Sequence, residues 1–242
     1  MYKRQDYSRD GTEDLKYTPQ EIQLMQESGK IVIAYISIGE AENYRFYWNE
    51  SWDTDPPDWI GKENPEWEGN YPVKYWFDEW KQIIFEYLDK IIEQGFDGIY
   101  LDKIDSFEYW SDVNNGEGSV LSEEDATNKM IQFVLEIANY VRVEKGITDF
   151  YIIPQNGENI LDFDENSTYL DAISGMLGVI AGLQGYWVGL VVDSILEEFM
   201  ALSSYLQYIF EVMSMETSIT NMGLYSMVNN LMIALVEADL LR

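Results

Sequence analysis

Carboxylates and carboxamides gather at three places where an apolar run gives way to a turn. Ile31-Val32-Ile33-Ala34-Tyr35-Ile36-Ser37-Ile38 leads into Gly39-Glu40-Ala41-Glu42, and Gly98-Ile99-Tyr100-Leu101 leads into Asp102-Lys103-Ile104-Asp105. The third run, Phe150-Tyr151-Ile152-Ile153-Pro154, leads into Gln155-Asn156-Gly157-Glu158. Two carboxyl groups flanking a glycosidic bond can cleave it: one protonates the leaving oxygen while the other attacks the sugar or activates water. That chemistry needs no histidine, metal or cofactor, and none is expected here. The chain contains no histidine and no cysteine. This excludes disulfides, thiolate nucleophiles, zinc sites built on His or Cys, and Ser-His-Asp mechanisms. Acid–base work falls to Asp, Glu, Tyr or Lys.

The elements that must position these residues are legible in the pattern. Thr18-Pro19-Gln20-Glu21 reads as the start of a short helix, with Thr as N-cap and Pro in the first turn, running to Gly29. Trp80, Ile83, Ile84, Tyr87, Leu88, Ile91 and Ile92 recur at helical spacing before Gly95. Ser122 caps another helix carrying Met130, Phe133, Val134, Ile137 and Val141 to Gly146. The continuous apolar runs between these helices predict strands covered on both faces, as in a parallel α/β sheet. Asp171-Ala172-Ile173-Ser174-Gly175 resembles a fourth strand, whereas residues 1–18 read as polar with a turn at Asp10-Gly11. In parallel sheets, site residues collect at the C-terminal strand ends, so the three polar turns converge on one site. Residues 43–80 form a long connection holding Trp48, Trp52, Trp59, Trp67, Trp76 and Trp80 and interrupted by four prolines. A connection of that length is usually functional, and its rings offer flat platforms for sugars.

The 242 residues include 15 basic and 44 acidic side chains, a formal net charge of −29. Such a surface repels phosphate backbones, which argues against nucleic acid as a partner, and attracts a cationic polymer; the alternative reading is that the charge serves solubility alone. Met1-Tyr2-Lys3-Arg4-Gln5-Asp6 has no apolar stretch behind it and does not read as a signal peptide. After Gly175 the composition changes: residues 176–242 are apolar, with Arg242 the only basic residue, and read as a mainly helical segment. Residues 172–192 carry no charge, are of about the length that could span a bilayer, and have small residues spaced by four at Gly178/Gly182 and Gly185/Gly189. Gln184 and the many glycines favour buried helices of a soluble core over a membrane segment.

Several motifs in order carry a family resemblance: Tyr35-Ile36-Ser37-Ile38-Gly39-Glu40-Ala41-Glu42, Tyr44-Arg45, Trp59-Ile60-Gly61, Val73-Lys74-Tyr75-Trp76, Gly95-Phe96-Asp97-Gly98-Ile99-Tyr100-Leu101-Asp102 and Pro154-Gln155-Asn156-Gly157-Glu158. Over about residues 6–175 the chain resembles the endo-α-1,4-polygalactosaminidases of glycoside hydrolase family 114. The resemblance implies a (β/α)8 TIM barrel in residues 1–175, a galactosamine-containing polysaccharide as substrate, an extracellular or cell-surface location, and Asp102 as the nucleophile. The family has strands ahead of the segment matching Asp6-Tyr7-Ser8-Arg9-Asp10-Gly11, so an incomplete first part of the barrel is expected. The family's second catalytic acid, a Glu, follows the segment matching 171–175, where this chain reads Met176-Leu177-Gly178-Val179-Ile180-Ala181-Gly182. Two alternatives to an active hydrolase follow: a sugar-binding protein of the same fold without turnover, or an incomplete or recombined chain with no enzymatic role.

Asp102 is the catalytic candidate, and Glu40, Glu42, Arg45, Trp76, Tyr100, Asp105, Gln155 and Asn156 are the candidate substrate-binding residues. Of Glu40 and Glu42, one is expected to line the cleft and the other to pair with Arg45, with Glu40 the preferred cleft residue. Asp105 fits either a carboxylate that supports the site residues from behind or a helix cap. Tyr35 and Tyr100 fit either core or cleft. Lys103 is expected to pair with a carboxylate, and Asp97, at the start of its strand, to be structural.

Overall fold

A strand that is apolar on both faces needs cover on both, and a parallel sheet flanked by helices provides it. The computed structural model describes residues 2–118, 120–178 and 188–190. Their strands are β1 (Tyr2–Asp6), β2 (Ile31–Ser37), β3 (Glu40–Glu42), β4 (Asn70–Pro72), β5 (Gly98–Asp102), β6 (Tyr151–Pro154), β7 (Met176–Gly178) and β8 (Val188–Leu190). The helices are α1 (Pro19–Gln26), α2 (Asp78–Glu93), α3 (Ser106–Ser111), α4 (Glu123–Asn139) and α5 (Thr168–Ala172). Strands β1, β2, β5 and β6 form one parallel sheet in that order, so the chain is an α/β protein with its helices between parallel strands.

Alternation along the strands separates two faces. Val32, Ala34 and Ile36 of β2, Ile99 and Leu101 of β5 and Ile152 of β6 join the main core with Ile84, Leu88 and Ile91 of α2 and Met130, Phe133, Val134 and Ile137 of α4. Fully burying one such side chain is worth about 1.5–3 kcal/mol, so the layer between sheet and helices holds the fold together. The positions between them, Ile33, Tyr35, Ser37, Tyr100 and Asp102, belong to the opposite face. Register aligns Asp6, Tyr35, Tyr100 and Ile153 in one row across the four strands, and Ser37 with Asp102 one step further on. The polar residues at the strand ends are thereby neighbours in space.

Helix signals behave as the sequence suggests. Thr18 and Glu21 form a reciprocal capping box on α1, and Ser122 Oγ accepts the Asp125 N–H at 3.1 Å to open α4. Asp97 is structural: its carboxylate accepts the Val32 N–H at 2.6 Å and the Gln26 side chain at 2.9 Å, pinning the start of β5 to β2 and α1.

Four expectations need revision. Tyr2-Lys3-Arg4-Gln5-Asp6 lacks a strand pattern, yet it forms β1, because the open edge of β2 supplies its backbone partners. The aromatic connection is not one loop: β3 pairs antiparallel with β4, Glu40 opposite Pro72 and Glu42 opposite Asn70. Strands of three residues are too short for alternation to reveal. Asp171 and Ala172 end helix α5 rather than opening a strand, and the next strand is β7. Residues 176–178 and 188–190, inside the segment expected to be helical, are paired antiparallel as β7 and β8. The rest of 176–242, with the remainder of the 172–192 apolar stretch and its glycine spacing, lies outside the described residues. Among the described residues no helix is long and apolar enough to cross a membrane.

One glycine sets the spacing at the site. A Cβ on Gly39 would lie 2.1 Å from Ser106 Oγ and 2.2 Å from the Lys103 carbonyl oxygen. The turn after β2 therefore touches the turn after β5 directly, and Ser106 Oγ donates to the Gly39 carbonyl at 3.3 Å. Gly39→Ala should force these turns apart and cost about 1–3 kcal/mol, read as a lower midpoint in urea unfolding.

Candidate active site

Asp102 closes β5, half-buried, and each of its carboxylate oxygens has a donor. Tyr35 Oη donates to Oδ2 at 2.8 Å, and the Lys103 backbone N–H donates to Oδ1 at 2.8 Å. Lys103 has a φ of 65°, in the left-handed region that L side chains rarely adopt. Strain of this kind persists where surrounding structure over-determines it, often at functional sites.

Tyr35 leads to a buried ion cluster. The Arg45 guanidinium lies 5.7 Å from the Tyr35 ring centroid and 4.9 Å from that of Tyr44. Arg45 Nε donates to Glu42 Oε2 at 2.6 Å, while one terminal nitrogen donates to both Asp6 oxygens at 2.7 and 2.8 Å. Tyr44 Oη also donates to Glu42, and the Glu42 backbone N–H donates to Tyr47 Oη at 3.0 Å. Burial works against the Arg45 charge, but the Tyr87 phenol and the Glu42 and Asp6 carboxylates outweigh it, and its pKa lies above the ordinary value. Burial pushes the Glu42 carboxyl up, against the pull of Arg45 and Tyr44.

A second cluster sits on the β5 side. Glu40, 6% exposed, pairs with Lys103 Nζ at 3.1 Å and accepts from Asn64 Nδ2 at 2.9 Å. Asp105 stands at the N-cap position of α3 but makes no side-chain capping bond. Burial raises its pKa, the Lys103 charge opposes that, and Asp102, Glu108 and Glu40 add to the rise. A carboxyl whose pKa is raised beside negatively charged neighbours holds its proton to higher pH than an ordinary aspartate and is suited to passing it on.

The candidates divide accordingly. Glu42 is the partner of Arg45, and Glu40 pairs with Lys103. Gln155 donates its N–H to the Leu101 carbonyl at 2.8 Å, and its Oε1 is buried with no hydrogen-bond partner among the described residues. Asn156, beyond the end of β6, has a left-handed φ of 57°. Tyr100 is buried beside Tyr35 in register. Trp76 packs edge-on against Tyr75 and Trp110 at 5.1 and 5.5 Å, as part of the packing of the connection. Among the six tryptophans of that connection, Trp67 is the exposed one, at 63%. Two members of the site have no distinct signal in the sequence. Asp6 lies in a stretch with no recognisable element; the one available signal is that a guanidinium has donors for more than one carboxylate. Tyr35, an apolar ring with a polar tip, fits core and cleft alike. Among the described residues no three acidic side chains are arranged to hold a metal ion.

The model of glycoside-hydrolase family GH114 matches residues 7–173. An uncharacterised protein of Thermotoga maritima is 60% identical over 160 residues, covering 66% of this chain and 47% of the relative. A second, the uncharacterised protein MJ1477 of Methanocaldococcus jannaschii, is 58% identical over 171 residues, covering 70% of this chain and 47% of the relative. The chain thus spans about half the length of these curated relatives. Among solved structures, Aspergillus fumigatus Ega3 in complex with galactosamine superposes with a TM-score of 0.53 at 20% identity, over 73% of this chain and 65% of Ega3. At that identity the likeness concerns the fold.

Two outcomes test the electrostatics. Arg45→Met leaves Glu42 buried without its cation and should cost about 3–5 kcal/mol in urea unfolding. Asp105, with its pKa raised, contributes stability that is fully present below the ordinary aspartate value and is lost as pH rises through the raised one. Asp105→Asn should therefore raise the thermal midpoint at about pH 7 and leave it unchanged at about pH 3.

Proposed function

Because the chain belongs to glycoside-hydrolase family GH114, we propose that it cleaves a galactosamine-containing polysaccharide by a two-carboxylate mechanism centred on Asp102. The observation that carries this reading is the setting of Asp102: a carboxylate at the C-terminal end of a parallel strand, with each oxygen engaged by a neutral donor. Such a group keeps its charge available for a developing oxocarbenium centre or for activating water. Asp105, which its surroundings keep protonated to higher pH than an ordinary aspartate, is suited to donate the proton to the leaving oxygen.

The same reading extends the parallel sheet to a (β/α)8 barrel, with the site at the C-terminal strand ends. The galactosamine seen with Ega3 suggests the sugar class, and the net charge of −29 favours a polymer carrying free amines. A polymeric substrate of this kind suits an extracellular or cell-surface location.

One observation favours a second reading, a sugar-binding protein without turnover. Between Ala172 and Val192 there is no acid to match the family's Glu, and loss of a general acid typically costs about 10²–10⁴-fold in rate. Incubation with de-N-acetylated α-1,4-galactosaminan separates the two. The hydrolase reading expects new reducing ends from the wild type and none from Asp102→Asn. Quenching of tryptophan fluorescence by amino-sugar oligomers without any release of reducing ends would favour the binder.

A further inference from the structure

The face of the sheet that carries Asp102 also carries Tyr35, one strand over and one row below. Its phenol donates to Asp102 Oδ2 at 2.8 Å, while Oδ1 is occupied by the Lys103 backbone N–H. The Tyr35 ring is held in turn: the Arg45 guanidinium lies over it, and Arg45 is anchored by Asp6 at the end of β1 and Glu42 in β3. A chain of contacts thus runs from β1 through Arg45 and Tyr35 to the tip of β5. Burial, with the negative charges of Glu42 and Asp102, holds the Tyr35 phenol protonated far above the ordinary tyrosine value. The phenol is therefore neutral at any working pH, and toward the Asp102 carboxylate it acts as the donor.

We propose that Tyr35 is a positioning residue of this site, orienting the Asp102 carboxylate through the Tyr35–Asp102 hydrogen bond. The proposal rests on the hydrolase reading for its kinetic consequences but not for its physical one. A neutral donor suits this task better than a cation. It fixes one oxygen without neutralising the charge that must face the substrate, whereas an Arg or Lys in its place would make a tight ion pair. The other groups that set the field here are Asp6 on β1, Glu42, Tyr44 and Arg45 in and after β3, and Lys103 and Asp105 after β5, with Glu40 beyond them. Tyr35→Phe removes only the hydroxyl and leaves all of these in place.

A hydrogen bond to a charged group is worth about 1.5–3 kcal/mol, so Tyr35→Phe should lower kcat by about 10- to 100-fold on de-N-acetylated galactosaminan, with little change in KM. The loss should be confined to kcat, as expected of a donor that orients the carboxylate rather than one that binds the sugar. Tyr75→Phe is the control, since the Tyr75 hydroxyl donates to the Ala126 carbonyl in the core. An unchanged kcat in Tyr35→Phe overturns the proposal, as does a loss matched by Tyr75→Phe. A second readout needs no turnover: the Asp102 carboxyl ¹³C resonance of the intact chain at neutral pH. A resonance displaced in Tyr35→Phe and unmoved in Tyr75→Phe supports the coupling, and one identical to wild type in Tyr35→Phe overturns it. If the wild type releases no reducing ends, the hydrolase reading fails and this resonance still decides the role of Tyr35.

Discussion

Burying a guanidinium costs several kcal/mol unless its charge and its donors are both met. Arg45 meets that condition with Glu42 on one side and Asp6 on the other, under a lid of tyrosine rings. These contacts come from three separate parts of the chain, so the cluster closes only when β1 has joined β2 and the β3–β4 hairpin has folded back over the strand ends. Removing any one member strands a charge in a poorly solvated place. The order of the site thus depends on one ion cluster, even though the larger share of folding energy comes from the apolar layer between sheet and helices.

The two ends of the sheet hold their carboxylates in different ways. At the N-terminal end, Asp97 uses its oxygens on the Val32 N–H and the Gln26 amide, a closed structural latch. At the C-terminal end of the same strand, Asp102 is bound by a phenol and its neighbour's N–H and remains half-buried. Two aspartates five residues apart, both half-buried, thus differ in their partners rather than in their burial.

Much of this was legible in the sequence. The strands at 31–38, 96–102 and 150–154 and the helices between them announce themselves through continuous apolar runs and 3.6-residue periodicity, and the pairing of Arg45 with one of Glu40 and Glu42 followed from their spacing. What was not legible depends on partners distant in the chain. β1 has no pattern of its own and exists because β2 offers an edge. Asp6 becomes an ion-pair partner only through that pairing. Residues 171–175 read as a strand although only Ala172 and Ile173 among them are plainly apolar, and so short a stretch gives periodicity nothing with which to separate helix from strand. Tyr35 stayed ambiguous because a tyrosine with an apolar body and a polar tip fits both core and cleft.

The tryptophans of the connection have one more property. Trp48, Trp52, Trp59 and Trp80 follow one another edge to face or tilted, with ring centroids 5.2–5.3 Å apart at each step. Indoles this close exchange excitation energy, so the four do not act as fully independent emitters. The ladder starts in the connection and ends on α2, at Trp80, whose indole N–H is fixed to the Ile38 carbonyl at 2.8 Å. Light absorbed along it reports on the seam where the connection meets the parallel strands, which gives the chain an optical gauge of whether the cover over its strand ends is seated.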